Sequence, residues 1–236
     1  LDTERLRSIN DIYDVVFHLA AFHIVEECEK DPAKAFRVNV LGTFNILRFI
    51  RARKFVFSST SDIYAPTPKK IKEDFQCKPI TVYGLTKLLA EEVVKFFPTR
   101  FSIARFFNVF GPGDKPHHLI PHIFTQIKRN HNFVLLGNTK TKRDFVYVDD
   151  VCSALIKILN KSGIYNVGTG KSFSAENVIF NLSHILKRKI EIKVDKSRIR
   201  KADHKNLCAD ISKIEKEIGW KPTVDIREGL EILALL

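Results

Sequence analysis

The feature that most restricts the fold is an alternation of two hydrophobic periods along the first half of the chain. Residues 14–21, DVVFHLAA, form a short apolar, β-branched run bounded by charge, as a strand buried on both faces requires. Residues 31–50 then change period, with Phe36, Val40, Phe44 and Leu47 recurring on one helical side. Residues 54–59, KFVFSS, predict the next buried strand, residues 81–97 a helix with Leu85, Leu88, Leu89, Val93 and Phe96 apolar, and residues 101–107 a third strand. Strands separated by helices predict a parallel α/β sheet with crossover helices, a Rossmann-like doubly wound fold.

After Gly111-Pro112-Gly113 the pattern shortens. Helices are expected over 119–129, 174–186 and 211–218, a short strand over 133–136, a strand end running into a helix over 145–159, and a brief strand over 165–167. Residues 1–110 are therefore expected to form the Rossmann-like domain. Residues 111–236 are expected to form mainly a smaller α+β substrate-binding lobe, with 145–170 returning to the first domain.

Composition narrows the function classes. No run of about 18 apolar residues exists, so no membrane span is expected. The first residues, LDTERLRSIND, are polar, and the four cysteines, Cys28, Cys77, Cys152 and Cys208, form no Cys-x-x-Cys pair. A reducing cytoplasm is the expected setting, with no metal site. The net charge of +12 is spread along the chain, and its densest stretch, 187–205, also holds Glu191, Asp195 and Asp203. That dispersal argues for a solvated face and an anionic small substrate, against nucleic acid.

The chemistry-bearing signal is Tyr83-Gly-Leu-Thr-Lys87 near a helix start. Positions i and i+4 share a helix face, so an ammonium at Lys87 is expected to lower the phenol pKa of Tyr83 from about 10. Such a tyrosine can take a proton from a sugar hydroxyl. Upstream, a buried strand ends in Ser58-Ser59-Thr60-Ser61-Asp62, at the carboxyl end where parallel sheets bind ligands. Thr60 could hydrogen-bond the same hydroxyl. The plainer alternative makes this cluster a turn and helix cap.

These residues resemble the extended short-chain dehydrogenase/reductases that act on nucleotide sugars. The shared motifs, in order, are His18-Leu-Ala-Ala21, Asn39-Val-Leu-Gly-Thr43, Ser59-Thr60 with Tyr64, Tyr83 to Lys87, Arg105 through Gly113, and Arg143-Asp-Phe-Val-Tyr-Val-Asp149. The resemblance runs nearly end to end and is specific for the family, not for one substrate. It implies NAD as cofactor. Leu19, Ala20, Ala21 and His23 would line its site, Asn39 would support it, and Ser58, Ser59 and Phe106 would approach or flank the nicotinamide. Thr60, Tyr83 and Lys87 would be catalytic, with Lys87 also holding the nicotinamide ribose. Asn108, His118, Leu119 and Arg143 would meet the nucleotide-diphosphate sugar. Arg200 and Asp203 would bind phosphate and ribose. For Arg143, Arg200 and Asp203 the alternative is surface salt bridging.

The resemblance also implies oxidation at the sugar C4, and family members often dimerise through the helices carrying Tyr83 to Lys87. The Asp-Glu pair common in the family's dehydratases is here Ser61-Asp62. That favours 4-epimerisation of the UDP-glucose/UDP-galactose type, with a dehydratase or decarboxylase as the alternative. Asp62 is then either a second base or a turn residue. A non-catalytic NAD- or nucleotide-sugar-binding regulator is the reading from another class. No glycine-rich phosphate loop occurs, so that loop is expected upstream of Leu1. The chain also holds no methionine, and the helix-to-strand link over 45–55 looks short.

Overall fold

The computed structural model describes residues 3–129, 132–199 and 203–236. A short helix α1 (Thr3–Arg7) leads into strand β1 (Ile12–His18). Helices α2 (Val25–Lys30) and α3 (Pro32–Phe36), a π-helical stretch over Arg37–Leu41 and helix α4 (Gly42–Phe49) then carry the chain to strand β2 (Arg51–Thr60). Helix α5 (Val82–Phe96) and strand β3 (Phe101–Phe106) follow. Thr81 caps α5, its hydroxyl accepting the Gly84 amide at 3.0 Å.

Beyond β3 come β4 (Asn108–Phe110), α6 (Leu119–Lys128), β5 (Phe133–Leu136), β6 (Lys142–Tyr147), α7 (Val148–Lys157) and β7 (Gly163–Val167). The chain finishes with β8 (Ser172–Ser174), α8 (Ala175–Ile185), β9 (Glu191–Val194), β10 (Asn206–Leu207), α9 (Ser212–Ile218) and α10 (Ile226–Ala234).

The α/β expectation holds. Strands β1, β2, β3 and β7 form one parallel sheet in that order. Period-2 alternation on β2 serves both faces. Phe55 and Phe57 pack with Ala90 and Val94 of α5, while Val56 packs on the opposite side with Val151 and Ala154 of α7. A second sheet joins β10, β6 and β4, with β8 antiparallel to β6, and β5 pairs with β9. Its core includes Phe110, Ile123, Phe145, Val178 and Leu230. Two buried carboxylates fasten these parts. Asp144 accepts from the Thr169 amide and hydroxyl, the Gly170 amide and the Ala209 amide at 2.6–3.1 Å. Asp150 likewise holds Thr223 and Val224 at 2.8–3.0 Å.

Three local outcomes differ from the sequence expectation. The first strand begins at Ile12 and stops at His18, so Leu19, Ala20 and Ala21 lie in the loop after it. The helix over 31–50 contains a π-helical stretch, and only Ile50 separates α4 from β2. Helices α1, α2 and α10 and strands β4, β8, β9 and β10 have no counterpart in the sequence expectation. No helix among the described residues is long and apolar enough to cross a membrane.

Candidate active site

A cleft of about 540 Å³ opens at the carboxyl ends of β2 and β3. That volume suits a small ligand. It gathers residues far apart in sequence: Ser59, Thr60 and Asp62 after β2, Tyr83 in the first turn of α5, Phe106 and Asn108 around the end of β3, and Arg143 from β6. His23, His118, Leu119 and Asp203 complete the expected residues in its wall. Leu19, Ala20, Ala21, Asn39, Ser58 and Lys87 are not in that wall. Arg200 lies outside the described residues.

The turn bearing Tyr83 is set by close packing. A Cβ on Gly84 would overlap the Asp62 carbonyl oxygen and lie 3.0 Å from the Pro79 Cβ. Only glycine lets the helix start press this closely on the segment after β2. The Thr60 hydroxyl accepts the Asp62 amide at 3.2 Å and lies close enough to the Tyr83 phenol to favour its ionised form. Thr60 and Tyr83 can therefore address one substrate hydroxyl together.

The expected effect of Lys87 on Tyr83 is corrected here. Burial pushes the Tyr83 phenol up, the Asp62 carboxylate adds to this, and the Thr60 hydroxyl opposes it. Lys87 is 2% exposed, and burial lowers its pKa to about 7, with Glu91 opposing. Its Nζ sits 4.1 Å from the centroid of the Phe57 ring. A buried amine that titrates near 7 is only partly charged at neutral pH, so its support for the phenolate is reduced and burial of Tyr83 outweighs it.

Asn39 works through the backbone. Its Oδ1 accepts the Phe22 amide at 2.8 Å, and its Nδ2 donates to the Phe22 carbonyl and the Thr86 hydroxyl, each at 2.9 Å. The Thr86 hydroxyl donates in turn to the Tyr83 carbonyl at 2.8 Å. One buried amide thus ties the loop after β1 to the helix turn carrying Tyr83. Ser58 donates to the His18 carbonyl at 3.1 Å, which locks β2 to β1 and takes its hydroxyl away from the cleft. Ser59 differs, because its Oγ is buried with no hydrogen-bond partner among the described residues.

Arg143 and Asp203 meet each other. The guanidinium pairs with the Asp203 carboxylate and donates to the His204 carbonyl at 2.8 Å. The salt-bridge alternative thus describes their arrangement, although both remain in the cleft wall. His118 bonds Asp114 through Nδ1 at 2.7 Å and faces the His23 ring with centroids 5.6 Å apart. Burial first and His118 second hold His23 below its ordinary pKa. Sequence reasoning missed Asp114, His122, Arg198 and His204, all in the cleft wall. The cluster His117, His118 and His122, and the histidine directly after Asp203, were its visible signals.

The profile of the family described as GDP-mannose 4,6 dehydratase matches residues 2–233. The GDP-6-deoxy-D-mannose reductase of Pseudomonas aeruginosa is 30% identical over 249 residues, covering 96% of this chain and 82% of its own. The UDP-glucose 4-epimerase of Thermotoga maritima, solved with UDP-glucose, superposes with a TM-score of 0.86 at 26% identity, covering 98% of this chain and 80% of its own. The UDP-glucuronic acid 4-epimerase of Bacillus cereus, solved with UDP-glucuronic acid and NAD, gives 0.85 at 27% identity over 99% and 78% of the two chains.

Proposed function

The chain belongs to the GDP-mannose 4,6 dehydratase family, and we propose that it is an NAD-dependent nucleotide-sugar 4-epimerase of the UDP-glucose/UDP-galactose type. The carrying observation is the meeting of Thr60 and Tyr83 in the cleft wall, with Lys87 one turn along the same helix face.

The residues fit the nicotinamide end of the cofactor. Ser59 offers a buried hydroxyl with no partner among the described residues and Phe106 an apolar wall, and Lys87, buried one helix turn from Tyr83, is proposed to hold the nicotinamide ribose. Leu19, 52% exposed, and Ala20 offer an open apolar shelf after β1. When bound, NAD⁺ supplies the hydride acceptor for C4. Tyr83 takes the C4 hydroxyl proton and later returns it, and Thr60 holds that oxygen in line. Asn108, His118, Leu119, Arg143 and Asp203 are proposed to hold the nucleotide diphosphate, joined by Arg200. Arg143 would exchange its Asp203 partner for a phosphate, a bidentate contact that suits its planar fork.

Residues 111–236 are proposed as mainly the substrate lobe. A homodimer is also proposed, supported by a groove over Phe36, Val40, Phe44, Leu89, Val93 and Phe96. A cytoplasmic setting is supported by four free cysteines.

The second reading, a dehydratase, is favoured by the Asp62 carboxylate lying beside the Tyr83 phenol. Incubation of the full-length protein with NAD⁺ and UDP-glucose decides between them. UDP-galactose supports the epimerase, a 4-keto-6-deoxy product supports the dehydratase, and no turnover of any nucleotide sugar refutes both. Tyr83→Phe should cut turnover at least ~100-fold while leaving the fold intact.

A further inference from the structure

The His204 ring stands in the wall of the same cleft, outside every bond described so far. The residue is 3% exposed, and neither ring nitrogen has a hydrogen-bond partner among the described residues. Burying an imidazole removes its water, and structural histidines recover that loss through partners. His204 recovers nothing from its neighbours among the described residues; both nitrogens lie beneath the cleft surface, and a molecule in the cleft meets them once the ring turns outward.

Its electrostatic setting suits proton transfer. Burial holds its pKa below the ordinary histidine value, and Arg143 adds to this. Asp62 opposes them, as the carboxylate that most favours the protonated ring, with Asp203 acting in the same sense. The ring is therefore neutral near pH 7, yet has an acid nearby to stabilise the imidazolium once formed. Asp62 acts on the Tyr83 phenol as well. The Asp62 carboxylate thus acts on two titratable side chains, Tyr83 and His204, and all three residues line one cleft.

We infer that His204, backed by Asp62, is a second catalytic acid–base residue that moves a proton at the carbon beside the sugar's 4-keto group. The inference rests on the 4-keto chemistry proposed above. A C4 ketone acidifies the hydrogens on C3 and C5. A His204 nitrogen takes one of them, the C–H electron pair moves into a C=C bond, and the carbonyl oxygen becomes an enolate oxygen. Tyr83 and Thr60 are the donors at that oxygen. Return of the proton from His204 restores the ketone, so nothing is consumed and no oxidant is needed. The substrate class is a nucleotide sugar whose 4-keto form exchanges, or inverts, at the neighbouring carbon.

The test uses an already oxidised sugar, UDP-4-keto-6-deoxyglucose, with the full-length protein in D₂O, read by proton NMR without added NAD. Deuterium should enter at C3 or C5 at least ~100-fold faster than in buffer, and His204→Gln should return the rate to near that of buffer. Asp62→Asn should slow exchange about tenfold, which provides a second reading if His204→Gln folds poorly. Exchange no faster than buffer, or equal exchange in the variants, overturns the inference. The two readings fail separately. Inversion of UDP-glucose at C4 with silent exchange sinks only the role of His204. Exchange without any C4 inversion sinks only the epimerase.

Discussion

Arg105 on β3 grips Glu91 on α5 through two parallel hydrogen bonds, Nε to Oε1 at 3.0 Å and NH2 to Oε2 at 2.7 Å. Both side chains are almost fully buried. NH1 of the same guanidinium donates to the Tyr64 hydroxyl at 2.9 Å and the Glu73 carbonyl at 2.8 Å. Tyr83, Lys87 and Glu91 recur every four residues, so this grip fixes the helix face that presents the candidate catalytic residues. Arg105→Leu would leave the buried Glu91 carboxylate with only the Lys95 ammonium, 4.0 Å away, as an ionic partner. A loss of about 3–5 kcal/mol is expected by urea denaturation, and a loss under about 1 kcal/mol would show that the pair is not structural.

Gly84→Ala tests how tightly the site is set. Alanine favours helix over glycine by about 1 kcal/mol, yet here its Cβ meets the Asp62 carbonyl. The first turn of α5 must shift, and Tyr83 moves relative to Thr60. Turnover should fall about 10- to 100-fold with secondary structure by circular dichroism unchanged. Turnover within about threefold of wild type would mean the close approach is unnecessary.

Lys87 sets function against stability. Its folded pKa of about 7 lies below the usual 10.5, so the cost of burying the ammonium is full below pH 7 and vanishes above about 10.5. Lys87→Met should abolish turnover and raise the melting temperature. The gain should be largest below pH 7 and shrink towards pH 10. A variant that melts lower than wild type at pH 6 would contradict this.

His18 should limit acid stability. The Thr43 hydroxyl spends its one proton on the Asn39 carbonyl at 2.6 Å, so the 3.0 Å contact with His18 is donated by the ring's Nε2–H. Burial, then Lys87, lowers the pKa to about 4. The unfolded chain binds this proton near pH 6.5, so the contribution to stability is intact above 6.5 and is lost as pH falls towards 4. The full loss is about 3 kcal/mol. His18→Gln should flatten the melting-temperature profile between pH 6.5 and 4, and an equally steep profile would exclude His18 as its source.

The main strands and helices were legible because each carries its own signal. The apolar run at Phe55–Phe57 and the fourfold spacing from Leu85 to Val93 need no partner to be recognised. Strand β9 lacked such a signal. Glu191 to Val194 lies in a basic stretch, and its strand state comes from pairing with β5. The same reasoning applies at the site. Tyr83 and Thr60 stood out by order along the chain. The idle nitrogens of His204 and the turning of Arg143 towards Asp203 depend on tertiary burial, which spacing does not encode. The expected lowering of the Tyr83 phenol failed for that reason: an i, i+4 spacing assumes a charged lysine in water, and burial removes that assumption.

Strand β7 closes the edge of β3, with Ser102 to Phe106 aligned to Gly163 to Val167. A ribosome delivers these two segments several seconds apart, since synthesis adds about 5–20 residues per second. Throughout that interval the nascent chain holds an unpaired, apolar strand margin next to the half-built cleft, open to pairing with other chains. Cellular yield of this protein should therefore depend on what shelters residues 101–106 during translation as much as on the stability of the finished fold.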